Sequence, residues 1–443
     1  MAEIVPFRGS RYDPARVALE DVVSPPYDVL APDDVRVLRA RSPYNAVHVD
    51  LPIAPGETDG DADRRAVYRR AADALRRWHE EGVLVREDEP ALYLIEQAFR
   101  APDGFERLRR GMVARLRLAD VAEGVVLPHE KTHAGPKADR LELMRATGAT
   151  LSQVFMLYPD DDGAATAALA AAADAAAGDT AAAAATVRDR DGVVHRVVPV
   201  HGAPAARFCA ALRGQRLIIA DGHHRYETAL HYRDERRAAG HHDADWLMVY
   251  LCSMNDPGLT VLPTHRLLRG VDVPPMEVVL ERLQPHFTVF PERGGDAESC
   301  RLLSLHLHRF ADRGKVFGLY FPRETACCTV ELRDPAAVAH LLDEGFSPVS
   351  AQLAVTVLHY LIFRDALGMD PTGTEGHIDY VTSATEAFAR LSTGSYSLGA
   401  FLNPTLVSEV RAVAEAGETM PQKSTYFYPK LLTGLVYDLH GGD

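Results

Sequence analysis

Between Ala66 and Leu84 the apolar residues Val67, Ala71, Leu75 and Trp78 return every three to four positions, with arginines and acids between them. That spacing predicts an amphipathic helix. The runs ALYLIEQAF (91–99) and RRGMVARLRL (109–118) predict two strands, paired antiparallel across the turn APDG. Further on, RLIIA (216–220) predicts a short buried strand and residues 224–240 a helix with Gly240 as its C-cap. DWLMVYLCSM (245–254) predicts another buried strand, closed by the turn NDPG. Strand, helix, strand in that order suggests a crossover unit. The last third mixes helices, such as 349–367, with a polar-aromatic segment, MPQKSTYFYPKLLTGL (420–435).

Residues 162–186 are dominated by alanine, which favours helix and carries no chemistry. They predict a weakly packed surface helix or spacer. The expected division is therefore an N-terminal part (1–160), the alanine-rich spacer (161–190), a motif-bearing part (191–270) and a C-terminal α/β part (271–443). A length of 443 residues fits two or three domains. The fold class expected is α/β with mixed sheets.

Hydrophobic content of 47% and charged content of 25% are those of a soluble globular protein. A net charge of −14 argues against broad nucleic-acid binding, which needs a basic face. No run of 18 apolar residues predicts a membrane span, and the first residues lack an apolar signal core. The five cysteines form no CxxC pair, so a cytoplasmic protein is expected.

The chemistry concentrates in ADGHHR, where the strand at 216–220 meets the helix at 224–240. Gly222 lets the backbone turn sharply and lets a ligand approach. The first helical turn offers unpaired N–H groups and the positive end of the dipole. His223, His224 and Arg225 lie on that turn, and together these groups make a pocket for an anion, phosphate above all. Asp221 has two readings. It meets Mg2+ or orients a hydroxyl, or it caps the helix. No GxGxxG and no Walker A sequence occurs.

A second cluster, PHEKTHAGPK (128–137), is formally HExxH. A zinc hydrolase would use His129 and His133 as ligands and Glu130 to polarise a water. Pro128 and Pro136 bound any helix there to little more than a turn, which argues against it. The other reading is a polar loop in which Glu130, among the cations His129, Lys131 and His133, is an ionised base. Asp28, in SPPYDVL, is either aimed at a ligand by the stiff diproline or part of a structural turn. Thr264-His265-Arg266 follows a predicted strand and is placed in the same cleft.

PPYDVL (25–30), ADGHHRYETAL (220–230), PGLTVLPTHRLL (257–268) and MPQKSTYFYPKLLTGL (420–435) make the chain resemble the bacterial family of domain of unknown function 1015. Pro-His-Glu (128–130), DGHHR (221–225), HIDYV (377–381) and PQKST (421–425) also resemble, in the same order, motifs of archaeal free-serine kinases. That second resemblance implies a ParB/sulfiredoxin-like nucleotide-binding core with large insertions and a further C-terminal α/β region. It implies phosphoryl transfer from ATP or ADP to the hydroxyl of free serine or a similar small metabolite. By position it implies Glu130 as base and Gly222, His223, His224 and Arg225 on the nucleotide phosphates. Asp221 would meet Mg2+ or the acceptor hydroxyl, and Lys423, Ser424 and Thr425 would hold the acceptor. His129 falls with the nucleotide set, and Asp28 and His265 with the acceptor. A non-catalytic ParB-like nucleotide switch is the alternative. The oligomeric state, monomer or homodimer, is open.

Overall fold

The computed structural model describes residues 1–53, 61–130, 134–179, 184–292, 297–310, 315–370 and 376–440. The chain forms two compact units. The first comprises Met1–Pro128, Thr132–Thr260 and Pro429–Asp443, and the second His129–Lys131 and Val261–Tyr428. The architecture is mixed α/β with several sheets.

The first unit is built on a nine-stranded sheet. Its strands are β1 (Ile4–Val5), β2 (Leu92–Arg100), β3 (Glu106–Arg117), β4 (Val126–Leu127) and β5 (Val154–Tyr158), followed by β6 (Ala185–Arg188), β7 (Val194–Val200), β8 (Leu217–Asp221) and β9 (Trp246–Ser253). They lie in the order β4-β8-β5-β9-β3-β2-β7-β6, with β1 on β3. β2 and β3 form the expected antiparallel pair. Alternate residues on these strands point to one face, as the two-residue period requires. Leu92, Leu94, Met112, Ala114, Leu247, Val249 and Leu251 enter one buried cluster there.

The main helices of this unit are α1 (Asp61–Glu80), α2 (Ala134–Thr147), α3 (Ala164–Asp179), α4 (Gly202–Leu212) and α5 (His223–Ala238). α1 buries Val67, Ala71, Leu75 and Trp78, the face read from the sequence. Gly240 ends α5 in the left-handed region, with its N–H on the carbonyl of Arg237. Two expectations are corrected. The alanine-rich stretch is the helix expected but is neither a spacer nor weakly packed, because Ala165, Leu169, Ala172 and Ala173 of α3 are buried in the cluster that also holds Phe208 and Leu212 of α4. Small side chains let the helix approach its neighbours closely. The crossover is also not a parallel one. β5 lies between β8 and β9, antiparallel to the first and parallel to the second, so β8 and β9 run in opposite directions.

The segment from Pro429 onward is woven into this unit. Asp438–Leu439 pairs with Ala149–Thr150, Tyr437 bridges Ser10, and Thr433 bridges Ser24. Asp438 is fully buried, and both its oxygens accept from the Arg115 guanidinium at 2.8–3.1 Å.

The second unit holds an antiparallel six-stranded sheet of β10 (His265–Leu268), β11 (Phe287–Glu292), β12 (Val316–Phe321), β13 (Ala326–Leu332), β14 (Ile378–Val381) and β15 (Leu398–Leu402). The order is β11-β13-β12-β15-β10-β14. Leu267, Val316, Val381 and Phe401 face helices α6 (Ala297–Arg309) and α7 (Ala384–Leu391). The helical run expected at 349–367 appears as two single turns, Pro348–Ala351 and Ala354–Val357, and a π-helix, Leu358–Ala366.

Candidate functional site

In the first unit β8 ends at Asp221, Gly222 takes φ = +93°, and α5 begins at His223. This is the turn that the sequence places at a phosphate. A Cβ on Gly222 would lie 2.9 Å from Nε of Arg225, whose side chain folds back across the turn. The left-handed backbone requires the glycine, and a Cβ there would also push on the Arg225 guanidinium. Arg225 donates to the carbonyl of Gln153, and its Nη2 lies 3.3 Å from Asp221 Oδ2. Nζ of Lys430 stands 3.5 Å from the other Asp221 oxygen. Asp221 thus stands between two cations, Arg225 and Lys430. His223 and His224 lie half-buried on the first helical turn.

The diproline motif joins this network. Tyr27 and Asp28 open a short 3-10 turn, Asp28 exposed and Tyr27 half-buried. The Arg140 guanidinium sits 4.2 Å from the Tyr27 ring centre and also contacts Asp50 and Asp139. Burial pulls the Arg225 guanidinium down, but Asp221, Asp28, Tyr27 and Asp50 outweigh it and hold the group above its ordinary value. Burial raises Asp50 despite Arg140, Arg225 and a hydrogen bond from Thr433. A cavity of about 40 Å³, lined in part by Asp50, Arg140, Ser152, Arg225 and Thr228, opens beside these groups. It has room for a few water molecules and no more.

In the second unit the Pro-His-Glu segment meets the PQKST turn, 293 residues away in sequence. Glu130 Oε1 accepts from the backbone N–H of Lys423 at 2.6 Å. Met420 N–H donates to the carbonyl of His129 at 2.7 Å, and His129 Nε2 lies 2.9 Å from the Thr425 hydroxyl. Lys423 is exposed and takes φ = +57°, one of three non-glycine residues with positive φ among the described residues. Ser424 is buried, and its hydroxyl donates to the carbonyl of Pro421. Of the expected set, His129, Glu130, Lys423, Ser424 and Thr425 are thus brought together, with Lys423 alone fully presented to solvent.

His265 does not join them. It lies on β10, in phase with Leu267, packed on Phe401 at 5.0 Å between ring centres, and burial pushes it down to about 3. Arg266, one residue on, faces the other side of the sheet. It has no exposed surface, and its Nη2 donates to the carbonyl of Lys423 at 3.2 Å. The sequence reading named Arg266 only in passing. The available signal was a charge next to the two leucines, Leu267 and Leu268, of a short buried strand.

Lys131, Thr132 and His133 lie outside the described residues, so the HExxH reading is represented by His129 and Glu130 alone. Nε2 of His129 is turned to Thr425 rather than presented to a metal. For magnesium, Asp221 offers one carboxylate flanked by Arg225 and Lys430, and an ion there would draw its other ligands from nucleotide phosphates and water. Among the described residues no group of three or more His, Cys, Asp or Glu side chains is arranged to hold a metal. A cleft of about 660 Å³ in the second unit is lined by Tyr320, Arg323, Tyr396 and their neighbours and by none of the motif residues.

The sequence matches the model of the family described as protein of unknown function (DUF1015) over residues 4–356. The chain belongs to that family. No curated protein matches it. Similar solved structures include a conserved hypothetical protein from Pyrococcus furiosus, 13% identical with a TM-score of 0.34. That match covers 71% of this chain and 92% of the other. A free serine kinase variant in complex with AMP is 13% identical with a TM-score of 0.35, covering 71% of this chain and 89% of its own. SbnI with C-terminal truncation, from Staphylococcus aureus, is 12% identical with a TM-score of 0.32, covering 71% and 84%. Among the described residues no helix of this family member is long and apolar enough to cross a membrane.

Proposed function

We propose that the protein is a nucleotide-dependent phosphotransferase that phosphorylates the hydroxyl of a small metabolite, serine or a related hydroxy amino acid. The observation that carries this reading is the Glu130 carboxylate held at 2.6 Å by the Lys423 N–H. It joins two motifs, from distant parts of the chain, that are both among those carrying the free-serine-kinase resemblance. In this reading Glu130 takes the proton from the acceptor hydroxyl as its oxygen attacks the terminal phosphorus of ATP or ADP. The nucleotide leaves one phosphate shorter. The N–H groups that open α5 after Gly222, with His223 and His224, receive the donor phosphates. Lys430, within ion-pair reach of Asp221, adds a cation that the sequence reading had not assigned. Lys423, exposed on its turn, neutralises oxygens of the transferred group.

One observation favours the alternative of a nucleotide-binding switch. The hydroxyls of Ser424 and Thr425 are engaged within the fold, which leaves Lys423 as the main acceptor contact on that turn. The test is incubation with ATP or ADP and a panel of hydroxy amino acids and hydroxy acids, with products read by mass spectrometry. Phosphorylated acceptor that disappears in Glu130→Gln supports the enzyme. Nucleotide binding with no acceptor phosphorylated overturns it in favour of the switch.

A further inference from the structure

We propose that Arg266 is a positioning residue that sets the Glu130–Lys423 contact by gripping the carbonyl of Lys423. The kinetic part of this inference rests on the phosphotransferase reading, whereas the structural part does not.

A lysine in the left-handed region is strained, and such a conformation persists only where its surroundings over-determine it. Both ends of the Lys423 backbone are tied. Its N–H is on Glu130 at 2.6 Å, and its carbonyl is on Arg266 at 3.2 Å. The next residues are fixed as well, with the Thr405 hydroxyl on the Ser424 carbonyl at 2.8 Å and Thr425 on His129. Arg266 is itself planted on β10, opposite Tyr380 and Ala400 in the ladder, and its Nη1 donates to the Thr264 carbonyl.

Arg266 is an unusual choice for an ordinary tie. It is wholly buried and makes no ion pair among the described residues, and its Nε has no hydrogen-bond partner there. A buried guanidinium is costly unless its hydrogen bonds are worth the desolvation. Its planar fork reaches two carbonyls at once, which no neutral side chain and no lysine does in the same geometry. Because no part of it is exposed, it acts on the reaction through the turn and touches no substrate. Loss of its hold frees the Lys423 carbonyl, lets the residue relax to a right-handed conformation, and swings its N–H off Glu130.

The test is hydrogen–deuterium exchange of the full chain as wild type, Arg266→Lys and Arg266→Met, resolved for the peptide covering residues 418–428. The Lys423 amide is expected to exchange at least ~10-fold faster in Arg266→Met, the worth of one lost hydrogen bond. Arg266→Lys should be intermediate, and amides of β15 should be unchanged. In turnover, kcat falls and the KM for nucleotide holds. Exchange at Lys423 equal to wild type in Arg266→Met overturns the proposal. If that variant fails to fold, equal exchange in Arg266→Lys overturns it. A loosened turn in a protein that phosphorylates no acceptor removes the phosphotransferase reading and leaves the clamp standing. Reduced turnover with no change in exchange does the reverse.

Discussion

Asp438→Asn perturbs one ion pair and little else. Asp438 has no exposed surface and the Arg115 side chain is 12% exposed, while two guanidinium nitrogens reach both carboxylate oxygens at 2.8–3.1 Å. Asparagine keeps the volume and removes the charge, which leaves the arginine buried against a neutral amide. Breaking one side of such a pair costs about 3–5 kcal/mol. For a unit of this size each kcal/mol lowers the midpoint by about 2–4 °C, so a fall on the order of 10 °C is expected. Intrinsic tryptophan fluorescence is the assay, because the two tryptophans of the chain, Trp78 and Trp246, both lie in the first unit. The double change Arg115→Met with Asp438→Leu should recover most of the loss, since it removes both charges together. A midpoint for Asp438→Asn within about 2 °C of wild type, under 1 kcal/mol on that scale, would refute the reasoning.

Three further outcomes are expected. Glu130→Gln should lower phosphoryl transfer by about 10²–10⁴-fold, the usual worth of a general base, with nucleotide affinity unchanged in a calorimetric titration. Gly222→Ala should cost the first unit about 1–2 kcal/mol from the left-handed backbone alone, visible as a lower fluorescence midpoint. The second unit should be acid-labile. His265 and His359 are each pushed down to about 3, chiefly by burial and then by the charge of Arg266, so the fold refuses protons that the unfolded chain binds. Their contribution is complete above the unfolded value near 6.5 and is lost as pH falls towards 3, at up to about 1.4 kcal/mol per histidine per pH unit. Urea unfolding followed by circular dichroism at pH 7 and pH 4.5 measures this, and replacing both histidines with glutamine should flatten the slope.

Local patterns in the sequence reported local structure well. The face of α1, the β2–β3 hairpin and the Asp221–His223 junction all follow from spacing and from one glycine. What escaped was non-local. β5 reads as an undistinguished apolar run, and nothing near it says that it separates β8 from β9. The alanines of α3 look featureless, yet their small size is what lets that helix pack deep in the core. The motif at 128–130 and the turn at 421–425 were each visible, but not their joining through Glu130 and the Lys423 N–H, because no local pattern encodes a contact 293 residues long. The choice of His265 over Arg266 followed side-chain chemistry alone. A two-residue period sends neighbours to opposite faces, and the arginine took the face that bears the turn.

The interleaving of the two units has a consequence for how the chain is made. The first unit pauses at Thr260 and is finished only by residues beyond Pro429, including Tyr437 and Asp438. At ribosomal speeds of about 5–20 residues per second, the intervening stretch takes roughly eight to thirty-four seconds to synthesise. Throughout that delay Arg115 waits without its carboxylate and the Ala149–Thr150 strand without its partner. The second unit, encoded as one nearly continuous stretch, emerges whole in the same interval. The nascent first unit is therefore the form of this protein most exposed to chaperones and proteases, and it closes only when the residues beyond Pro429 follow the second unit off the ribosome.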